Sequence, residues 1–343
     1  MKKFACLLMI TMMVLCLIAC SATPQSTESI EETGEASEDY TEAKYPSFAL
    51  VASDTIGDRG FVDMSYAGIQ AVAQKYDIDW KFFSCNNDSS VYLDTLKAAA
   101  ENYDVIFVIP GYFFDAELKE VQSLYPDRSY IYIDGNTDIQ NVTSCSFSQN
   151  EGAFLAGVLA ANLSKNGKVG FVGGADMAVI HDYEVGFKQG VEYVKNGTQV
   201  IVRYTNDHYD AALGKVTAHA SFEEGSDVIF QAAGPAGLGV LEAAAEYGFT
   251  AIGVDTDQCY LHPGFIASSM LKRVDNAVED MAEELCNGET LPKVSIYNIA
   301  NGGISLADNE YYQSMVSEEI RNKVKEASAA VADGTVKVIS YFD

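Results

Sequence analysis

The residues able to do chemistry in this sequence close its apolar runs: Asp54, Gly111, Asp134, Gly174, Gly234 and Asp255. Asp255 can accept from two vicinal hydroxyls, a charge-assisted pairing stronger than a neutral one; the plain alternative is a solvated carboxylate at a loop end. Asp54 opens the turn Asp54-Thr55-Ile56-Gly57-Asp58-Arg59-Gly60-Phe61. Phe61 is either a core anchor or an aromatic held over a cleft, where stacking on a planar ligand contributes about 1–3 kcal/mol. Gly234-Pro235-Ala236-Gly237-Leu238-Gly239 runs into a helix with Asp255 one strand further on. This imitates a dinucleotide fingerprint, but the glycine order is G-x-x-G-x-G rather than G-x-G-x-x-G. Lys272 stands just before a helix expected over Asn276–Cys286. A cation there opposes the helix macrodipole, even with Asp275 as a cap. Lys272 therefore either hydrogen-bonds a ligand or snorkels into solvent. His208, in Asn206-Asp207-His208-Tyr209-Asp210, follows a strand and can face a cleft. His181, His219 and His262 read as surface or packing residues. No histidines or cysteines stand at metal-ligand spacing and no G-x-S-x-G elbow is present, so no catalytic residue, metal or cofactor is expected.

Elements able to position these residues alternate regularly. Strands are expected at Ser47–Ser53, Trp80–Cys85, Val105–Pro110 and Ser129–Asp134, with helices at Met64–Lys75, Val91–Asn102 and Ala116–Ser123. After a helix over Gly152–Leu163 the pattern restarts with strands Lys168–Gly174, Gln199–Tyr204, Asp227–Gly234 and Thr250–Asp255. Helices Tyr183–Asn196, Ala212–Glu224 and Gly239–Tyr247 lie among them, and helix Glu318–Ala332 precedes a strand at Val336–Ser340. Near-continuous apolar strands alternating with helices predict parallel sheets covered on both faces. Two such α/β lobes would face one another across a cleft lined by their strand ends.

The start of the chain concerns location. Met1-Lys2-Lys3, an apolar stretch from Phe4 to Ala19, and Leu17-Ile18-Ala19-Cys20 make an export signal too short for a membrane span. Leu-Ile-Ala-Cys resembles the lipobox of bacterial lipoproteins, which implies residues 1–19 as signal peptide and Cys20 as the acylated N-terminus. Residues 20–44 are acidic and nearly devoid of apolar side chains, and read as a disordered tether. Formal net charge is −27, more negative still without Lys2 and Lys3, which argues against nucleic acid as partner. Cys85, Cys145, Cys259 and Cys286 remain in the folded part and read as buried small residues rather than bridges.

Several stretches occur in order: Asp58-Arg59-Gly60-Phe61; Gly173-Gly174-Ala175-Asp176-Met177 with Asp182-Tyr183-Glu184-Val185-Gly186-Phe187; Ile229-Phe230-Gln231-Ala232-Ala233-Gly234; Gly253-Val254-Asp255-Thr256-Asp257-Gln258; and Ser269-Met270-Leu271-Lys272-Arg273-Val274-Asp275. Together they resemble the basic membrane protein family of bacterial lipoproteins, substrate-binding components of ABC importers best known for nucleosides. The resemblance spans Ser47 to Asp343. It implies a type I periplasmic-binding-protein fold: two Rossmann-like lobes, a ligand cleft between them and three hinge crossovers. Lobe 1 would hold about residues 45–150 and 258–290, lobe 2 about 151–257 and 291–343. By the same resemblance Phe61 matches a stacking aromatic, Asp54 an acidic residue before it, Asp255 and Lys272 the ribose-binding pair, and Gly234 a close backbone approach. Asp134 is a further carry-over. Two departures stand out: Val62 replaces the family's usual Asn, and His208 stands where the family has Phe.

The implied function is capture of a nucleoside, a purine nucleoside first, for an ABC permease and its ATPase, with the membrane as partner through the lipid anchor and no reaction on the ligand. A receptor for a sugar or other small metabolite, a ligand-sensing signalling lipoprotein and a nucleoside-cleaving enzyme are the competing readings; no nucleophile or metal cluster supports the last.

Overall fold

Uninterrupted runs such as Phe48–Ala52 and Val105–Ile109 leave no face for water, and both strands are buried at every residue. The computed structural model describes residues 44–343; the signal, Cys20 and the tether up to residue 43 lie outside them. The chain first lays down β1 (Phe48–Ala52), α1 (Phe61–Tyr76), β2 (Trp80–Ser84), α2 (Tyr92–Asn102), β3 (Val105–Ile109), α3 (Asp115–Leu124), β4 (Ser129–Ile133) and β5 (Val142–Phe147). It continues with α4 (Gln149–Leu163), β6 (Lys168–Gly173), α5 (Ala178–Val194), β7 (Gln199–Tyr204), α6 (Ala211–Glu223), β8 (Val228–Ala232), α7 (Gly237–Tyr247), β9 (Thr250–Asp255) and β10 (Ile266–Lys272). The last elements are α8 (Val274–Cys286), β11 (Val294–Tyr297), β12 (Ile304–Leu306), α9 (Glu310–Met315) and α10 (Glu318–Ala332).

The strands form two sheets with the same internal order, β11-β5-β4-β3-β1-β2 and β12-β10-β9-β8-β6-β7. Each sheet is parallel except at β12, which pairs antiparallel with β10. In the first, Phe48 of β1 faces Trp80 on one side and Val105 on the other. The two-lobed α/β architecture is thus as the sequence implies. Position for position, β1 to β5 correspond to β6 to β10.

The division of the chain between lobes needs correcting. Residues 258–290 were expected in lobe 1, but β10 pairs with β9 in the second sheet. Only α8 returns to the first lobe, packing on α1. Residues 291–343 were expected in lobe 2, but β11 extends the first sheet beside β5. The chain crosses between lobes after β5, after β10 and after β11. β10 escapes a search for apolar runs because it buries Ser268 and Ser269. Their hydroxyls are satisfied: Ser268 donates to the Ala307 carbonyl at 2.9 Å, and Ser269 accepts from the Gln258 amide at 3.0 Å.

Val336–Ser340 is also not a strand. Its alternating pattern is used against helices instead. The Val338 carbonyl accepts from the Asn150 side chain at 3.1 Å, and Ile339 exchanges two bonds with Gln189 at 2.8 and 2.9 Å. The four cysteines of the described residues are free, and Cys85, Cys145 and Cys259 are buried.

Candidate functional site

Two carboxylates build the turn that carries Phe61. Asp58 accepts from the amides of Gly60, Val62 and Asp63 at 3.0, 2.8 and 3.1 Å. Asp63 accepts from those of Gly57 and Arg59 at 2.7 and 2.9 Å. Together they hold the amides of the turn and of the N-terminus of α1, and place Phe61 as its first residue. Burial pushes the Asp58 carboxyl up, against the downward pull of its amide donors. Just upstream, the Asp54 carboxylate accepts from the Thr55 amide at 2.7 Å and the Asn87 side chain at 3.0 Å.

The strand ends deliver the charged core of the site. Asp134 follows β4 and Asp255 ends β9, and both take left-handed backbone, φ 73° and 66°. Lys272 ends β10 and is 1% exposed. Its ammonium is ion-paired with the Asp134 carboxylate of the other lobe. It also lies 5.5, 5.0 and 5.7 Å from the ring centroids of Phe61, Phe147 and Tyr183. The snorkelling alternative is excluded by that burial. Asp275 does not cap α8; it grips Arg273 through two bonds of 2.9 and 2.8 Å. Asp255 has a different environment. Burial pushes its carboxyl up to about 7, Lys272 pulls it back, and Asp134 and Asp58 push it further up. Among the described residues no hydrogen-bond donor serves it. The lobes also touch at the Thr256 hydroxyl, which donates to the Arg59 carbonyl at 2.9 Å.

The ring of His208 packs on backbone. Its Nε2 accepts from the Ala175 amide at 3.4 Å and lies 3.4 Å from the Met177 sulfur. A Cβ on Gly174 would sit 2.3 Å from His208 Nδ1, so only glycine fits under the ring. Burial lowers the His208 pKa, while Asp207 and a backbone hydrogen bond at Ala233 work the other way. The ring is therefore neutral at pH 7. Gly234 takes φ 57°, and the turn it opens returns the Ala236 amide to the His208 carbonyl at 2.8 Å.

Asp54, Phe61, Asp134, His208, Gly234, Asp255 and Lys272 all line one cavity between the lobes. The first lobe supplies Asp54, Phe61 and Asp134, the second the rest. Tyr112, Tyr183, Tyr209 and Asp58 line it too and were not singled out individually. Asp58 and Tyr183 stood inside recognised stretches, and Tyr209 beside His208; Tyr112, one residue past the end of β3, carried no signal of its own. Burial above all, then the charges of Asp134 and Asp255, hold the phenols of Tyr112 and Tyr183 far above their ordinary range. They are neutral hydroxyls. Carboxylates outnumber the single ammonium of the lining, which favours an uncharged, hydroxyl-rich or cationic guest over an anion. Among the described residues no group of His, Cys, Asp and Glu is arranged to hold a metal, and no helix is long and apolar enough to cross a membrane.

Comparison with known proteins agrees with this geometry. The family described as ABC transporter substrate-binding protein, PnrA-like, matches residues 45–335. The ABC transporter nucleoside-binding protein BmpA of Lactococcus lactis subsp. cremoris is 31% identical over 85% of this chain and 89% of its own length. Basic membrane protein D of Borreliella burgdorferi is 32% identical over 88% of this chain and 90% of its own. A crystal structure of an ABC transporter solute-binding protein from Aeropyrum pernix K1 superposes with a TM-score of 0.79 at 25% identity, covering 86% of this chain and 93% of the other. The matched family is one of substrate-binding proteins, not enzymes.

Proposed function

This chain belongs to the PnrA-like family of ABC transporter substrate-binding proteins, and within it we propose a lipid-anchored receptor for a nucleoside, a purine nucleoside first. The observation that carries the reading is the shared lining of one cavity by Phe61 of the first lobe, the neutral His208 of the second, and the undonated Asp255 carboxylate. A planar base sits against the aromatic side chains, and the vicinal hydroxyls of the pentose donate to Asp255. Lys272, held by Asp134, presents its remaining N–H groups to the pentose oxygens. The acidic lining disfavours a phosphate, so the unphosphorylated form is the ligand.

Contacts made with both lobes at once couple binding to closure: ligand stabilises the closed arrangement by the difference in its affinity for closed and open forms. No bond of the ligand is broken. The closed protein then docks on the permease, with Cys20 acylated and residues 20–44 spanning the distance from the bilayer.

Calorimetric titration with adenosine, inosine, guanosine, cytidine, uridine, galactose and arabinose tests the ligand class. Saturable heat with a nucleoside and none with the free sugars is expected; the reverse result refutes the reading. For the anchor, Cys20→Ala should move the protein from the membrane fraction to the medium, and unchanged membrane retention would refute it.

A further inference from the structure

Tyr183 lies in the second turn of α5, four residues before Phe187, so the two side chains share one face of the helix. Phe187 packs into the core against Phe230 of β8, with ring centroids 5.5 Å apart. The Tyr183 ring meets the same Phe230 at 6.5 Å, and the Lys272 ammonium lies 5.7 Å from its centroid. The residue is only 4% exposed and lines the candidate site. Phenylalanine would fill that core space equally well. The hydroxyl is the part that packing does not explain.

Buried tyrosine hydroxyls usually find a hydrogen-bond partner. That of Tyr183 is a neutral donor, acted on by the charges of Asp255 and Asp134, yet neither carboxylate accepts from it. It has no other partner among the described residues. Nor is its oxygen sealed inside protein. Among the described residues the fully buried side-chain atoms without a partner are Gln149 Oε1 and Arg203 Nε. The Tyr183 oxygen therefore keeps accessible surface, and the cavity that its side chain lines is where a partner can reach it.

The surroundings place this hydroxyl at the pentose end of the site. Asp255 and Asp134 are the leading charges on the phenol, and Lys272 lies against its ring. With the 2′ and 3′ hydroxyls donating to Asp255, a ribonucleoside keeps one further hydroxyl on its pentose, the 5′. We propose that Tyr183 is a specificity-determining residue whose phenol pairs with the 5′ hydroxyl, so that the ligand class is nucleosides with that hydroxyl present and free. The proposal rests on the nucleoside reading and deepens it. A ligand lacking the 5′ hydroxyl leaves the phenol unpaired once the site has closed, and that loss is the source of the discrimination.

Isothermal titration of the wild type and of Tyr183→Phe with adenosine, inosine, guanosine, cytidine and uridine, each against its 5′-deoxy derivative, tests this. For each parent that binds, Tyr183→Phe should weaken it about three- to tenfold, the contribution of one neutral hydrogen bond. The 5′-deoxy derivative should bind the wild type more weakly than its parent and lose nothing further in Tyr183→Phe. Thermal melts without ligand separate this role from a structural one: Tyr183→Phe should melt no lower than the wild type. A parent that binds both proteins equally overturns the proposal and spares the nucleoside reading. So does equal weakening of parent and derivative by Tyr183→Phe, which puts the contact elsewhere on the ligand. A lowered melt without ligand also overturns it, by giving the hydroxyl a structural partner. If no nucleoside binds the wild type, the nucleoside reading itself fails, and the pairing with it.

Discussion

Asp134 and Asp255 occupy the same place in the two lobes, yet the protein treats them differently. Each stands at the carboxyl end of the corresponding strand, β4 or β9, in left-handed backbone. Asp134 is ion-paired to Lys272 across the cleft. Among the described residues Asp255 has no donor, and burial carries its carboxyl up to about 7. The asymmetry continues one strand along. β5 ends in Phe147 and β10 in Lys272, and the ammonium of one lies against the ring of the other. A repeated scaffold has thus been differentiated: one carboxylate is satisfied by protein and fixes a cation, while the other, half-buried at the cavity wall, has no donor among the described residues.

The largest effect should come from Lys272→Met. It strands the buried Asp134 charge, and loss of one partner of a buried pair costs about 3–5 kcal/mol. Urea denaturation should show that loss, and Asp134→Asn in the same chain should recover much of it. An unaltered midpoint would mean that the pair is not formed.

Asp255→Asn should act the other way on stability and strongly on binding. Removing two charge-assisted bonds should weaken a nucleoside by about 3 kcal/mol or more. The empty protein should gain stability at pH 8, because a buried carboxylate is no longer forced to ionise. Equal affinities in the two proteins would remove Asp255 from the site.

The same residue predicts a pH dependence of definite sign. In the unfolded chain its carboxyl loses its proton near pH 4; in the folded protein it keeps it to about 7. Between those values the folded state binds more protons, so rising pH lowers stability, by up to about 1.4 kcal/mol per pH unit from this group alone. Thermal melts of wild type should therefore fall relative to Asp255→Asn from pH 4 to 7 and run parallel above. Hydroxyls that donate to the carboxylate favour its ionised form, so ligand binding near pH 6 should release a proton. Calorimetry in buffers of different ionisation enthalpy would detect it.

The smallest effect belongs to His208. His208→Phe should retain nucleoside affinity, since the neutral ring contributes its face. His208→Ala should cost about 1–3 kcal/mol. If His208→Phe loses as much as His208→Ala, a ring nitrogen and not the face is what the ligand needs.

Much of this arrangement was readable residue by residue. The uninterrupted apolar strands from Phe48 to Ile133 and from Lys168 to Asp255 announce themselves because a parallel strand covered on both faces needs apolar side chains throughout. Asp54, Asp134, Gly234 and Asp255 followed from them, as the residues at which such strands end. β10 and β11 were not readable. The buried serines of β10 are satisfied only by Ala307 and Gln258, partners brought from elsewhere in the fold. β11 is only four residues long and Ser295 interrupts it, so it offers no apolar run even though its exposed residues are Val294 and Ile296. With those strands unseen, the chain's second and third crossings between lobes were misplaced.

What the sequence determined by itself was the set of strand-end residues and the kind of sheet that carries them, because hydrophobic periodicity and turn chemistry act over a few neighbouring positions. Only the tertiary structure decided which carboxylate meets Lys272 and which is left without a partner. That choice depends on the approach of Asp134 and Lys272 from opposite lobes, which is not a property of any local stretch of chain.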